Sequence, residues 1–124
     1  MDIDALRKAG KIASSSLDIA EDAIAEGQSM LAVLSDIEAY IAKEGAEPAF
    51  PPQISLNETA AHFYPGKKDV SFQKGDICKV DVGVSVDGWI ADNARTVVLG
   101  ECEMKGVVDT ALGKVLEEIG PGFH

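Results

Sequence analysis

Two helical patterns of apolar residues occupy the first 45 positions of the chain. In each pattern apolar or small residues recur at spacings of three and four, which places them on one helix face. The first helix is predicted to end at Gly27. The second is predicted to begin after Ser29 as N-cap and to stop at Gly45 in a left-handed conformation. The predicted buried faces are Ile3, Leu6, Gly10, Ala13, Leu17, Ala20 and Ile24, and then Met30, Val33, Leu34, Ile37 and Ile41.

From Pro48 onward the pattern changes from helical to extended. Closely spaced prolines between positions 48 and 65 exclude a continuing helix, and the segment from Ile54 to Leu56 has strand character. Two β-rich runs, 77–86 and 89–99, then flank Asp87-Gly88, a dipeptide typical of a two-residue hairpin turn. The sequence therefore predicts an antiparallel hairpin.

The register of this hairpin brings two aspartates together. With Asp87 and Gly88 in the turn, Gly83 faces Asp92 and Asp81 faces Ala94. Asp81 and Asp92 then become diagonal neighbours on one face, with α-carbons roughly 7–8 Å apart, so that their carboxylates can converge. The small residues opposite them are predicted to leave room for a bound ion. The other face is predicted to pack against the helices through Val80, Val82, Val84, Val86, Trp89, Ala91 and Val97.

Spacing alone leaves two interpretations of the aspartate pair open. Aspartates oppose the β propensity of strand interiors, and such conflicts often mark function, here a metal site. Alternatively, Asp81 and Asp92 belong with Ser85 and Thr96 to the solvated face of an amphipathic hairpin, because the pattern contains no histidine ligand. Asp87 is interpreted as a turn residue rather than a ligand.

A third helix is predicted after Gly100. Its periodic apolar residues fall between positions 107 and 119, and the Gly120-Pro121-Gly122 run stops it. The periodic residues are Val108, Leu112, Val115 and Leu116. A chain of 124 residues is long enough for one core, so residues 1–124 are predicted to form a single domain. Its parts are helical over 1–45, extended with the hairpin over 48–100, and helical over 105–119.

Composition and charge narrow the expected partners and location. The chain carries 21 acidic and 11 basic residues, a formal net charge of −10, which repels phosphate backbones and anionic lipids. Neither nucleic acid nor a membrane surface is therefore an expected partner. No run approaches the ~18 apolar residues of a membrane span, and the first residues lack a secretory pattern, so a cytoplasmic location is expected. Cys78 and Cys102 lack metal-site spacing and are interpreted as structural thiols.

Three segments of the sequence resemble type II methionine aminopeptidases. The hairpin from Lys79 to Thr96, KVDVGVSVDGWIADNART, resembles that family's metal-site hairpin, including the eleven-residue separation of its aspartates. The segments PAFP at 48–51 and SLNETAAHFYP at 55–65 resemble the segment that ends in the family's active-site histidine, with His62 at that position. The opening LRKAGKIA at 6–13 is similar to the family's first helix, so the resemblance spans about residues 3–100.

The resemblance implies a fold and a chemistry. The fold is α/β (α+β): half of a "pita-bread" architecture, with N-terminal helices packed on a mainly antiparallel sheet. Asp81 would chelate one divalent ion through both oxygens, and Asp92 would bridge two ions, which could be cobalt, manganese, iron or zinc. Such ions activate a bridging water and polarise the scissile carbonyl. His62, otherwise an ordinary loop histidine, would hydrogen-bond the substrate, a peptide or nascent chain that begins with the initiator methionine.

The sequence also departs from that family. The family's remaining ligands, a histidine and two glutamates, come from its second half, and His124 lacks the surrounding motif and is assigned no metal role. Two carboxylates leave most coordination positions to water and would bind ions poorly. Three explanations are open: a fragment of a full-length aminopeptidase, a half-size homodimer that joins two Asp81–Asp92 pairs, or a non-catalytic interaction module. We expect a dimer with bound metal and little or no activity from the chain alone.

Overall fold

The computed structural model describes residues 1–123, in which two helices pack on an antiparallel sheet and a third helix follows. In chain order the elements are α1 (Ile3–Ala23), α2 (Met30–Lys43), β1 (Glu47–Pro48), β2 (Gln53–Leu56), β3 (Ile77–Val86), β4 (Trp89–Val98) and α3 (Glu103–Glu118). Strand β3 lies at the centre of the sheet. Along one edge it pairs with β4, and along the other it pairs in succession with the short strands β2 and β1, all antiparallel.

Helix α2 forms as the sequence predicts. The Ser29 hydroxyl accepts a hydrogen bond from the backbone N–H of Ala32 at 3.0 Å and so caps the first turn. Gly45, just past the end, has a φ of +69°, the left-handed conformation that glycine adopts without a steric penalty. The predicted apolar face of α2 is entirely buried.

Helix α1 differs from its prediction in its end and in its buried face. It ends at Ala23, capped by Ile24, and Gly27 lies in the turn beyond it. Ile3 is 47% exposed, whereas four residues outside the predicted face are buried. These are Ala5, Ala9, Ile12 and Ser16. Because α1 lies across both long strands, small side chains on two adjoining rows contact the sheet, and the buried stripe is wider than a single row.

The hairpin has the predicted register. Asp87 and Gly88 have φ angles of +51° and +81°, as a type I′ turn requires. Asp81 pairs with Ala94 and Gly83 with Asp92. The predicted apolar face carries the core: its β3 valines are at most 6% exposed, and α1 and α2 cover it. Strand β4 ends one residue before the predicted end at position 99.

An ion-pair cluster fixes α1 to β4. Arg95 Nη1 on β4 donates to Asp18 Oδ1 and to Glu21 Oε2, both at 2.7 Å. The two carboxylates belong to successive turns of α1, so a single guanidinium contacts both. This cluster holds the hairpin in a fixed position under the helix that covers it.

The segment between β2 and β3 is closed by a side-chain network at its base. Asn57, with a φ of +52°, accepts a hydrogen bond from the Ile77 N–H and donates to Asp76 Oδ1, both at 3.0 Å. Asp76 is buried and also accepts from the Gln73 N–H at 2.8 Å. The network joins the end of β2 to the start of β3. The two ends of the intervening loop, which contains His62, are therefore held next to each other at the edge of the sheet.

Helix α3 begins at Glu103, two residues before the predicted start at 105, and its periodic face is largely exposed, although Val108 and Leu112 line a cavity against β3 and β4. No described side chain of α3 is buried. Its larger apolar residues, from Met104 to Leu116, are between 46% and 73% exposed. None of the helices in residues 1–123 is long and apolar enough to cross a membrane.

Candidate functional site

The three residues singled out by the sequence lie in one pocket. A cavity of about 350 Å³ on the polar face of the hairpin is lined by Asp81, Asp92, His62, Phe50 and Gln53. Asp81 comes from the middle of β3 and Asp92 from β4, while His62 comes from the loop closed by Asn57 and Asp76. Asp87 lies in the hairpin turn, as predicted, and not in this group.

The Asp92 carboxylate lies close enough to affect the ionisation of Asp81. Burial first, and then the charge and hydrogen-bonding contact of Asp92, raise the pKa of Asp81, while His62 acts in the opposite direction. Asp81 is partly buried and Asp92 is exposed, so the pair spans the wall and the mouth of the cavity. Two neighbouring carboxylates repel each other when both are ionised, and a divalent cation between them would relieve that repulsion.

His62 is held in an uncommon backbone conformation. Its φ is +62°, in the left-handed region that non-glycine residues occupy at a cost of the order of 1–3 kcal/mol when the surroundings impose it. The next residue is fixed to the sheet, because the Phe63 N–H donates to Ser55 Oγ at 3.3 Å and Ser55 on β2 is buried. The imidazole of His62 is exposed, so its orientation is set by the strained backbone of the loop and not by contacts of the ring with other side chains.

The absence of a side chain at Gly83 makes room for an aromatic ring and not for an ion. A Cβ added at Gly83 would lie 2.3 Å from Cε1 of Phe50, so only glycine lets the ring approach the β3 backbone this closely. The prediction that Gly83 leaves room for an ion is wrong, because the Phe50 ring occupies that room. The ring forms an apolar wall beside the carboxylates.

Besides Phe50, Gln53 is a cavity residue that sequence analysis missed. It faces Asp81 across the β2–β3 pair and lines the same cavity. Its Oε1 is buried and has no hydrogen-bond partner among the described residues. The sequence predicted an extended segment over 54–56 but not the strand with which it pairs. Without the β2–β3 register, Gln53 could not be placed beside Asp81.

The donor set is suitable for a cation but small. Within residues 1–123, no group of three or more His, Cys, Asp or Glu side chains is placed to hold a metal ion. His124 lies outside the described residues. Asp81 and Asp92 are hard oxygen donors of the kind divalent ions bind, and the buried Gln53 oxygen beside them lacks an electropositive partner. The residues present therefore fit a divalent ion with incomplete protein coordination.

Comparison with known proteins identifies relatives for most of the chain. Residues 4–124 match the profile of "Metallopeptidase family M24". A methionine aminopeptidase of Archaeoglobus fulgidus is 43% identical over 119 residues, which cover 94% of this chain and 41% of the relative. A methionine aminopeptidase structure from Thermotoga maritima superposes with a TM-score of 0.90 at 30% identity, covering 98% of this chain and 53% of that one. A Pyrococcus horikoshii prolidase structure gives 0.82 at 28%, covering 98% and 37%.

These matches confirm the predicted fold. The chain has the mixed α/β architecture of its structural neighbours, with helices on an antiparallel sheet, and corresponds to the N-terminal half of the pita-bread fold. It spans about two fifths of the length of the curated relative and about half of the Thermotoga protein.

Proposed function

Because the chain belongs to metallopeptidase family M24, we propose that it supplies half of a metal-dependent site that removes N-terminal methionine from peptides and nascent proteins. The observation that carries the proposal is the meeting of Asp81, Asp92 and His62 in one cavity. The names of the sequence relatives and of the Thermotoga structure support the methionine substrate. The prolidase neighbour has the same fold and a different name, so the substrate depends on the site rather than on the architecture.

We assign the two carboxylates to metal binding. Asp81, on the cavity wall, and Asp92, at the mouth, would hold divalent ions through their carboxylate oxygens. Divalent cobalt, manganese, iron or zinc, when bound, would supply charge that polarises the scissile carbonyl and acidifies a water. Fixed positions on paired strands keep both carboxylates oriented, so little reorganisation is needed when a cation enters.

His62 and Phe50 would position the substrate. The left-handed backbone of His62 directs its imidazole into the cavity, where it can hydrogen-bond the peptide group next to the scissile bond. The Phe50 ring offers an apolar, aromatic wall, which suits the unbranched and polarisable methionine side chain. Its close contact with Gly83 limits the space that a bulkier first residue would need.

The remaining ligands would come from outside the described residues. Two carboxylates alone bind a pair of ions weakly, and the Archaeoglobus and Thermotoga relatives are about twice as long as this chain or longer. We propose that further polypeptide with the family's second half completes the site, and that the protein acts in the cytoplasm.

The exposed apolar side chains of α3 also favour association of two copies, which sedimentation analysis would detect.

Binding of manganese and release of methionine test the assignment together. Calorimetric titration of chelator-treated protein, followed by assay with a Met-Gly or Met-Ala peptide, compares wild type with Asp92→Asn. Asp87→Asn is the matched control, because that aspartate lies in the turn outside the cavity and asparagine suits its positive φ. Asp92→Asn should lose metal affinity and any activity present, and Asp87→Asn should lose neither. Equal manganese binding by all three proteins would reject the site and favour a non-catalytic module.

A further inference from the structure

Gln53 has a position that hydrogen bonding within the fold does not explain. Directly paired residues of antiparallel strands share a face, with Cβ atoms roughly 4.5–5.5 Å apart, and Gln53 is paired in this way with Asp81. Asp92 lies diagonally from Asp81 on the other side, in β4. Asp81 is therefore flanked within one sheet face by a carboxamide and a carboxylate, and all three line the same cavity.

The carboxamide oxygen is buried without a donor. Gln53 Oε1 is the only buried side-chain polar atom of the described residues that lacks a hydrogen-bond partner. Buried acceptors in folded proteins are nearly always paired, so this oxygen is available to a partner that binds in the cavity. In contrast, the buried Ser16 hydroxyl donates to the Ile12 carbonyl at 2.9 Å, so the core itself follows the rule.

The neighbours of Gln53 restrict what the partner can be. Ionised Asp81 and Asp92 are acceptors only and cannot donate to the oxygen, and the Phe50 ring has no donor. The His62 imidazole, which also lines the cavity, carries an N–H donor but makes no hydrogen bond to this oxygen. A group that satisfies a carbonyl oxygen between these residues must be electropositive and must be tolerated by two carboxylates. A divalent cation meets both conditions, because amide carbonyls and carboxylates are hard oxygen ligands that such ions accept together.

We propose that Gln53 is a third protein ligand, which binds through its carboxamide oxygen the cation held by Asp81 and Asp92. The proposal rests on the metal site of the proposed function and adds to it a residue outside the two predicted carboxylates. A neutral oxygen added to two charged ones raises the coordination supplied by the described residues without adding to the repulsion between the carboxylates.

Manganese titration of chelator-treated protein tests the role of the oxygen. Gln53→Leu keeps the size and removes the oxygen, and it should weaken binding about tenfold. Gln53→Glu keeps an oxygen at the same place and should bind at least as tightly as wild type. The matched control is Gln28→Leu, at an exposed glutamine that does not line the cavity, and it should be unchanged.

The three variants also separate ligation from a merely structural role. If the Gln53 amide instead donated to Asp81, Gln53→Glu would weaken binding as much as Gln53→Leu, and the proposal would be overturned. Equal affinity of Gln53→Leu and wild type would also overturn it. Should Gln53→Leu fail to fold, judged by its circular dichroism melt, the Gln53→Glu comparison still decides.

A water count gives a second readout. With terbium as the probe ion, luminescence lifetimes in H₂O and D₂O should give about one more coordinated water in Gln53→Leu than in wild type, because water replaces the lost oxygen. An unchanged number of coordinated waters contradicts direct ligation by Gln53.

The Asp92→Asn variant distinguishes failure of the proposed metal site from failure of the role of Gln53. If it binds manganese like wild type, the proposed site fails. If it loses binding while Gln53→Leu does not, only the role of Gln53 fails.

Discussion

Replacement of Gly83 by alanine tests whether the Phe50 ring forms the wall of the cavity. A Cβ at this position would lie 2.3, 2.7 and 2.9 Å from Cε1, Cδ1 and Cζ of the ring. Ordinary contacts between carbon atoms are about 3.5–4.0 Å, so the ring must move by roughly 1 Å or more. Gly83 does not have a positive φ, and the effect therefore comes from the contact and not from backbone strain.

The expected loss of stability follows from the opposing effects at this position. Overpacking of an ordered contact costs about 1–3 kcal/mol, and alanine in a strand recovers roughly 0.5–1 kcal/mol relative to glycine. The ring is the far end of a partly buried side chain and can swing outward, which favours the lower part of the range. The free energy of unfolding should therefore fall by up to about 1 kcal/mol, with a melting temperature lower by up to roughly 3–5 °C.

Urea denaturation of a double-mutant cycle measures the contact directly. The four proteins are wild type, Gly83→Ala, Phe50→Ala and the double variant. Without the ring, the three atoms nearest to the added methyl group are gone, so Gly83→Ala should be neutral or slightly stabilising in the Phe50→Ala background. Gly10→Ala in α1 is the matched control: its new Cβ would lie 4.0 Å from the Ala91 Cβ, and it should stabilise the protein by up to about 1 kcal/mol.

Two results would refute this reasoning. An equal loss of stability from Gly83→Ala in both backgrounds would mean that the ring is not the source of the cost. A Gly83→Ala variant as stable as Gly10→Ala would mean that the ring does not contact the β3 backbone, and the apolar wall assigned to Phe50 would have to be abandoned.

Three further predictions concern charges and thiols. Arg95→Met should lower the free energy of unfolding by only about 1 kcal/mol, because the ion pairs of Arg95 with Asp18 and Glu21 are partly exposed. Added salt should reduce this loss by screening the ion pairs, and a loss that does not depend on salt would contradict the prediction. Because the pKa of Asp81 is raised in the folded state, the free energy of unfolding falls as pH rises through that pKa. In the presence of a chelator, Asp92→Asn should make this fall smaller and stabilise the protein at neutral pH by less than about 1 kcal/mol. Melting temperatures measured across the pH range test this. Burial raises the pKa of the Cys78 thiol to about 11, so native protein at pH 8 should be alkylated at Cys102 first, and mass spectrometry showing equally fast modification would contradict this.

Local rules were sufficient to predict α2 and the hairpin. Ser29, Gly45 and the Asp87-Gly88 turn each determine a nearby conformation, and a two-residue turn fixes the register of both flanking strands. The convergence of Asp81 and Asp92 follows from that register alone. Their interpretation as metal ligands came from the resemblance and remains a proposal, as does the role of His62.

Long-range pairings were not predictable in the same way. Gln53 and Asp81 are brought together by a strand pair that closes a long loop, and no local signal specifies its register. The contact of Phe50 with Gly83 has the same origin, so the glycine was assigned to the wrong neighbour. The face of α3 was recognised by its periodicity, but periodicity identifies an apolar stripe and does not identify the surface that covers it.

The cavity is also the place where this chain departs from local physical rules, and these departures support function independently of any resemblance. A partly buried carboxylate lies against a second one, a buried amide oxygen lacks a donor among the described residues, and a histidine has a positive φ. The buried oxygen and the left-handed backbone each destabilise the fold by about 1–3 kcal/mol, and the partly exposed carboxylate pair by less than about 1 kcal/mol. A cation would remove the first two costs at once, because it neutralises the carboxylates and binds the oxygen. An amphipathic hairpin whose polar face only contacts water would require none of the three.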